Sequence, residues 1–356
     1  MAQYAAITGW GKCVPPTVLT NDEIATVIDT SDEWIKTRSG IRQRRVSHVP
    51  GSDLANVAGQ RALAAADVSA EDIDLLIVAT CTPDTVIPST AAHVQRKIGA
   101  KNAAVFDLNA GCSGVIYSLS VATSMIQSGG FKKALVIGSE RITWFLNWSN
   151  RDTAVLFGDG AGAVVVEPSS EESGLLYSHL GCEGEVADAL QIPNFGTAGD
   201  RFVENYAAFD VQFDGREIFR RAVKGMTRET RIVLNELGLS NSDIDLIIPH
   251  QANLRIIESL AHHLGVDMKD VEVNIQNYGN TSAATIPVAM VEALEAGRIK
   301  PGDRILMAAF GAGLTRAAGL LRWGNRTTPL KTSDAELPPC DQTALEILGD
   351  SIKHTL

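Results

Sequence analysis

Three side chains of this 356-residue chain could together carry chemistry, a nucleophile and two hydrogen-bond donors: Cys112, His250 and Asn280. Cys112 stands in DLNAGCSGV (107–115), crowded by Asn109, Ala110, Gly111, Ser113 and Gly114. So little bulk lets a substrate carbonyl approach the sulfur and lets the Cys112 N–H meet a developing oxyanion. The residues that follow, VIYSLSVATSMI (115–126), are apolar on nearly every side and predict a sandwiched helix stopped by SGG. Cys112 then falls at a helix N-terminus, where free N–H groups and the dipole favour a nucleophilic thiolate. The competing reading of the same stretch is a buried structural thiol. Cys13, Cys81, Cys182 and Cys340 lack this setting and read as structural. His250, in IIPHQANLR (247–255), follows an apolar strand at its C-terminal end, where α/β sites gather. Asn280 lies in the Gly-containing turn of NYGNTSAA (277–284). A neutral imidazole and a carboxamide offer donors but no base for water. They suit the stabilisation of negative charge on a second substrate.

Bringing such distant residues together needs a symmetric scaffold, and the sequence contains one. VSAEDIDLLIV (68–78) is echoed by LSNSDIDLII (239–248), an offset of 171 from Ile73 to Ile244. FDLNAGCSG (106–114) lies opposite NIQNYGNTS (274–282) at an offset of 168, and SGGFKKALVIGS (128–139) opposite AGRIKPGDRILMA (296–308). Each half reads strand, helix, strand, with buried helices, which two sheets with helices between and outside them would satisfy. On this alignment Asn280 is the counterpart of Cys112, and a pseudo-twofold axis brings both to one place. The halves are 1–170, carrying the nucleophile, and 171–323, carrying His250 and Asn280. Residues 171–218 are partly an inserted loop or cap, since 180–218 shows little periodicity. The extension 324–356 opens as a linker. It ends in an amphipathic helix, DQTALEILGDSIKH, with Asp341 as its cap and Leu345, Leu348 and Ile352 on one face.

Composition bounds the rest. The chain is 45% apolar and 21% charged, with a net charge of -11. Nothing there supports non-specific nucleic-acid binding. MAQYAAITGWGKCVPP lacks a basic, then apolar, leader, and no stretch reaches membrane-span length, so no membrane role is expected. Five cysteines without a C-x-x-C pair suit free thiols in the cytoplasm. The glycine clusters GWG (9–11), GDGAG (158–162) and GAG (311–313) complete no dinucleotide fingerprint and read as tight turns.

Taken together, TSDEWIKTRSGIRQR (30–44), DLNAGCSG, NRDTAVLFGDGAGA (150–163), PHQANLRI (249–256), YGNTSAA (278–284) and AFGAG (309–313) resemble the β-ketoacyl-acyl carrier protein synthase III family of thiolase-fold condensing enzymes. The matching stretches spread over 1–323. The resemblance implies a five-layered αβαβα fold and a homodimer. It implies that Cys112 takes an acyl group from acyl-coenzyme A, with an oxyanion hole from the N–H groups of Cys112 and Ala312, a position usually glycine in the family. Malonyl-acyl carrier protein then loses carbon dioxide while His250 and Asn280 hydrogen-bond its thioester oxygen, and the carbanion attacks the acyl-cysteine. No metal or redox cofactor is called for. Coenzyme A contacts map onto Trp34, Arg38 and Arg151, with Trp34 and Arg151 sandwiching the adenine. Carrier-protein docking maps onto Arg220 and Arg255, near Arg216 and Arg221, while another basic position of the family falls at His262–His263. Ile87 falls where the family places a residue of the neighbouring subunit at the end of the acyl pocket. Val115 falls near that pocket. An Ile there, rather than Phe, implies a medium-length acyl chain. The alternatives are a sister acyltransferase or specialised-metabolite ketosynthase with another acceptor, and an inactive acyl-coenzyme A binding protein. A thiolase would need a second cysteine near AFGAGLTRAAG, which has none.

Overall fold

A computed structural model describes residues 3–194, 196, 197, 199, 202 and 210–355. Nine strands form the main sheet: β1 (Tyr4–Cys13), β2 (Leu75–Ala79), β3 (Ala104–Leu108), β4 (Ala134–Glu140), β5 (Gly160–Ser169), β6 (Gly174–Cys182), β7 (Leu246–Pro249), β8 (Arg304–Gly311) and β9 (Thr315–Arg322). Their spatial order is β7-β8-β9-β6-β1-β5-β4-β2-β3. It is continuous only because β1 and β6 touch in parallel at one pair, Ala5 and Gly174. On one side of this join, β2 runs parallel to β3 and β4, and β5 is antiparallel to β4 and β1. On the other, β7 and β8 are parallel and β9 is antiparallel to β8 and β6. The counterpart of β3 in this second half shrinks to a bridge between Ile247 and Val271. The chain crosses from one sheet to the other between Ser169 and Gly174.

Seven helices complete the layers: α1 (Asp32–Ser39), α2 (Gly51–Ala66), α3 (Thr90–Ile98), α4 (Gly114–Gln127), α5 (Gly215–Leu237), α6 (Leu254–Leu264) and α7 (Thr285–Glu295). Side chains alternate across a strand, so each sheet feeds two cores. In β2, Leu75 and Ile77 point to the middle core with α4 and α7, while Leu76 and Val78 pack under α2 and α3. In β8, Ile305 and Met307 join the same middle core, and Leu306 and Ala308 pack under α5 and α6. The result is the five-layered αβαβα arrangement of the thiolase fold. The GWG cluster serves packing: a Cβ on Gly9 would lie 2.2 Å from the Ala62 carbonyl oxygen, so α2 rests directly on β1.

Two expectations need revision. The stretch 180–218 is less irregular than its pattern suggests. β6 continues to Cys182 and α5 begins at Gly215, and a ribbon of Leu190–Gln191 and Gln212–Phe213 lies between. The strand end and helix start escape notice because partly buried strands and polar helix caps lack an apolar run. The extension after Trp323 is docked along its length. Leu330 N–H donates to Ala65 O at 3.0 Å, Arg61 Nη2 to Ala335 O at 3.0 Å, and His48 Nε2 meets Pro338 O at 2.8 Å. It ends in α8 (Ala344–Ile347) and α9 (Gly349–Thr355). Thr343, not Asp341, caps α8, through a reciprocal capping box with Glu346 that Asp341 is too far upstream to make. Ala344 and Leu348 are buried in a cluster with Leu19, Ile24 and Trp148.

Candidate active site

Cys112 lies in a tight helical turn, Gly111–Ser113, that leads into α4. The preceding turn residue, Gly111, has φ +52°, and a Cβ on it would lie 2.7 Å from the Ala312 N. A Cβ on Gly311 would likewise lie 2.5 Å from the Cys112 N. Only glycine permits this backbone-to-backbone approach, which sets the N–H groups of Cys112 and Ala312 in one place. Thr315 Oγ1 donates to Ala110 O at 2.7 Å and ties the two loops together.

His250 follows β7, and its N–H donates to Ala308 O at 2.8 Å. The neighbouring Gln251 locks the loop: its Nε2 donates to Pro249 O and Glu272 O, and its Oε1 accepts from Asn274 N. The His250 Nδ1 meets Thr285 Oγ1 at 2.7 Å. Asn280 precedes a turn that mirrors the cysteine turn. Its Oδ1 accepts from Ser282 N at 2.8 Å, as Asn109 Oδ1 accepts from Gly111 N at 3.3 Å. Ser282 has φ +50°, matching Gly111. The structural counterpart of Asn280 is therefore Asn109, and that of Cys112 is Ala283. The sequence alignment slipped by three because α4 has 14 residues and α7 has 11, so the offset of 171 falls to 168 only after the helices. The axis still brings the turns together: a Cβ on Gly114 would lie 3.6 Å from that of Ala283.

Burial dominates the electrostatics. It pushes the Cys112 thiol up to about 12, aided by the Glu140 charge and opposed by a contact with the Ser282 side chain. Desolvation thus outweighs the expected helix-end stabilisation of a thiolate. Burial also drives His250 down to about 3, so its imidazole is neutral.

Two cavities meet at the sulfur, sharing Cys112, Phe157 and Leu190 in their walls. The first, about 970 Å³, also exposes His250 and Asn280 and reaches Trp34, Arg38, Arg216 and Arg255. The second, about 720 Å³, runs past Cys81, Ile142, Phe145 and Val211 to Thr85 and Val86. Arg151 stacks on Trp34 with 4.7 Å from guanidinium carbon to ring centre, and Arg38 sits 5.7 Å from the same ring. An adenine between Trp34 and Arg151 would first have to part them. Arg220 is exposed and pairs with Glu217 at 2.6 Å, and Arg255 lies 5.5 Å from the Phe219 ring. Arg221 turns inward to Glu183 and Glu217. Ile87 is 84% exposed and is not a wall of its own chain's cavity. Val115 departs from expectation. It is 4% exposed and packs in the middle core, because its place on α4 faces the sheet and not the cavity. Glu140, Ser282 and Thr285 gave no signal in the sequence.

Two α/β halves of one design, meeting where a cysteine turn faces an imidazole and a carboxamide, define a thiolase-fold condensing enzyme. Comparison with known proteins narrows the class. Family models for 3-oxoacyl-[acyl-carrier-protein] synthase III and for its C-terminal part match residues 106–184 and 234–323. A β-ketoacyl-[acyl-carrier-protein] synthase III 2 of Vibrio cholerae is 56% identical over 99% of this chain and 97% of its own. A synthase III of Roseiflexus is 50% identical over 91% of this chain and 99% of its own. The crystal structure of the Aquifex aeolicus synthase III superposes with a TM-score of 0.85, at 44% identity, over 90% of this chain and all of that one. The chain belongs to the β-ketoacyl-acyl carrier protein synthase III family, and it is a ketoacyl synthase, an acyltransferase of fatty-acid biosynthesis.

Proposed function

We propose that the chain joins a medium-length acyl-coenzyme A to malonyl-acyl carrier protein through an acyl-Cys112 intermediate. The observation that carries this reading is the position of Cys112 at the junction of two unlike cavities. The first has a basic, aromatic rim suited to the phosphates and adenine of a coenzyme A thioester, with Trp34, Arg38 and Arg151 as its contacts. The second, mostly apolar in its side chains, has a volume typical of pockets that enclose whole small molecules, far beyond the needs of a two-carbon acyl group.

In the first half-reaction Cys112 sulfur attacks the thioester carbonyl, and the N–H groups of Cys112 and Ala312 hold the oxyanion. The carbon–sulfur bond to coenzyme A breaks, and the thiol proton ends on the departing sulfur. In the second, the malonyl carboxylate leaves as carbon dioxide and its electron pair forms an enolate. His250 and Asn280 donate to the enolate oxygen. The enolate carbon attacks the acyl carbonyl and Cys112 leaves as thiolate, taking a proton from solvent. Arg220 and Arg255 offer docking charges to an acidic carrier. The free cysteines fit a reducing cytoplasm, and among the described residues no helix is long and apolar enough to cross a membrane.

Intact-mass measurement after incubation with acyl-coenzyme A of several lengths tests the reading. One acyl group should add to the protein, not to Cys112→Ala, and malonyl-acyl carrier protein should discharge it as a ketoacyl product. An adduct that only an alcohol or amine acceptor clears would instead make the protein a plain acyltransferase.

A further inference from the structure

His250 and Asn280 sit on two loops, and one side chain outside the cavity walls is bonded to the element that joins them. Gln251, next to His250, accepts from the Asn274 N–H through Oε1 at 3.1 Å. Asn274 precedes a single helical turn, Ile275–Tyr278, and Asn280 follows that turn after one glycine. Glu292, from α7, holds both ends of the turn. Its Oε2 accepts from Asn274 Nδ2 at 2.9 Å, and its Oε1 accepts from the Tyr278 hydroxyl. Lys12 Nζ, from β1, lies 3.1 Å from the same Oε1.

Packing alone does not call for an acid here. Glu292 is the one charged residue from Thr285 to Leu294, and the other residues of that span are buried. At the offset of 171 that pairs Cys112 with Ala283, its place on α4 is taken by Val121, in the half that supplies the nucleophile and neither donor. A carboxylate has two acceptor oxygens and no hydrogen, so it can take bonds from an amide, a phenol and an ammonium together. Burial and the Glu292 bond both push the Tyr278 phenol up, which keeps it a donor. The backbone of Asn280 is tied to the first half: its N–H donates to Leu156 O at 2.9 Å and its carbonyl accepts from the Gly158 N–H at 3.1 Å. Glu292 fixes the turn that lies between this anchored asparagine and the Gln251 lock.

We propose that Glu292 is the positioning residue that sets the spacing of the two enolate donors, by clamping both ends of the turn that links Asn280 to the His250 loop. It touches no reacting atom. On the condensation reading given above, on which this inference rests, the enolate oxygen must receive both hydrogen bonds at once. A donor pair whose spacing drifts therefore loses rate in that step. Cys112 and the Ala312 N–H are carried by other loops and still take up the acyl group.

Glu292→Gln tests the clamp. It keeps the side chain's shape and leaves Lys12 its second partner, Glu295, at 2.6 Å. Its amide nitrogen cannot accept, so one end of the turn loses its bond. Tyr278→Phe frees the Asn280 end alone. Hydrogen–deuterium exchange read by mass spectrometry reports the clamp without turnover. Segments 250–253 and 274–280 are expected to exchange about tenfold faster in Glu292→Gln, with α4 and the loop 311–315 unchanged. Single-turnover rates then separate the half-reactions. Acyl mass should appear on Cys112 at the parent rate in both variants. Discharge by malonyl-acyl carrier protein should fall about a hundredfold in Glu292→Gln, the scale of a small misplacement of reacting groups, and less in Tyr278→Phe. Unchanged exchange in Glu292→Gln, discharge at the parent rate, or equal losses in acyl loading and discharge would each overturn the proposal. A parent protein that loads acyl groups and never condenses, while its variants show the expected exchange, would uphold the clamp and refute the reaction assigned to it.

Discussion

His250 illustrates how residue type and residue environment divide the information. The sequence offers the imidazole at a strand end; the fold keeps it neutral well below its ordinary titration range, by removing it from water. That burial has a consequence for stability. The folded-state value of about 3 lies below the unfolded value of about 6.5. Between the two, the unfolded chain binds a proton that the folded chain refuses. Stability present in full above pH 6.5 is thus lost as pH falls toward 3, by up to about 1.4 kcal/mol per unit. Asp159 works the other way: burial raises its carboxyl to about 6, so its contribution is full at low pH and is lost as pH rises through 6. Comparing the protein with His250→Gln cancels Asp159. Urea unfolding should show the difference moving in favour of His250→Gln as pH drops from 6.5 to 4.5, and a pH-independent difference would contradict a buried neutral imidazole. Cys112, His250 and Asn280 were legible because a thiol, an imidazole and a carboxamide are residue types that can do chemistry. Glu140, Ser282 and Thr285 were not, because their significance lies in partners 35 to 142 residues away.

At the scale of elements, the repeat revealed two related halves but misplaced one equivalence. Pattern matching sees apolar runs, whereas the true register is set by two turns with matching φ and matching Asn side-chain bonds. The extension was read as linker and helix, and its pattern held no clue to where it docks. It closes over Leu19, Ile24 and Trp148, and Thr355 Oγ1 accepts from the Trp148 N–H at 3.1 Å. Trp148 stands just ahead of Arg151, which lies on Trp34. The extension therefore buttresses the wall where coenzyme A is proposed to bind. The family match ends at residue 323, while the Vibrio cholerae relative aligns over 99% of the chain. Leu348, 2% exposed, is the test. Leu348→Ala should cost about 2–5 kcal/mol of stability, as buried leucines do. It should also raise KM for acyl-coenzyme A while leaving KM for the malonyl thioester alone. Equal changes in both constants would reduce the extension to a general stabiliser.

For the whole molecule, the single chain leaves one face unfinished. Among the described residues β3 is the outer strand of the sheet, with no strand paired to its far edge, and Val86 and Ile87 nearby are 75% and 84% exposed. An open strand edge and bare apolar side chains are both liabilities unless covered. The second cavity, proposed above to take the acyl chain, emerges on this face, since Thr85 and Val86 are among its walls. A twofold dimer would cover the edge and send each Ile87 toward the cavity of the other subunit, an isologous exchange that one sequence cannot display. If so, Ile87 measures the acyl chain in trans. Ile87→Phe in both subunits should shift acyl-coenzyme A preference to shorter chains. Mixed dimers separate cis from trans. When a Cys112→Ala subunit pairs with an Ile87→Phe subunit, only the latter has a working sulfur, and its cavity is closed by the unaltered Ile87 of the dead partner. That dimer should keep the parent preference for longer chains. Placing both substitutions on one subunit, opposite an unaltered one, should give short-chain preference at the single live site. Chain-length profiles from acyl-adduct masses read the outcome directly. Reversed assignments would mean that Ile87 lines the cavity of its own chain, and the dimer would lose its part in choosing the substrate.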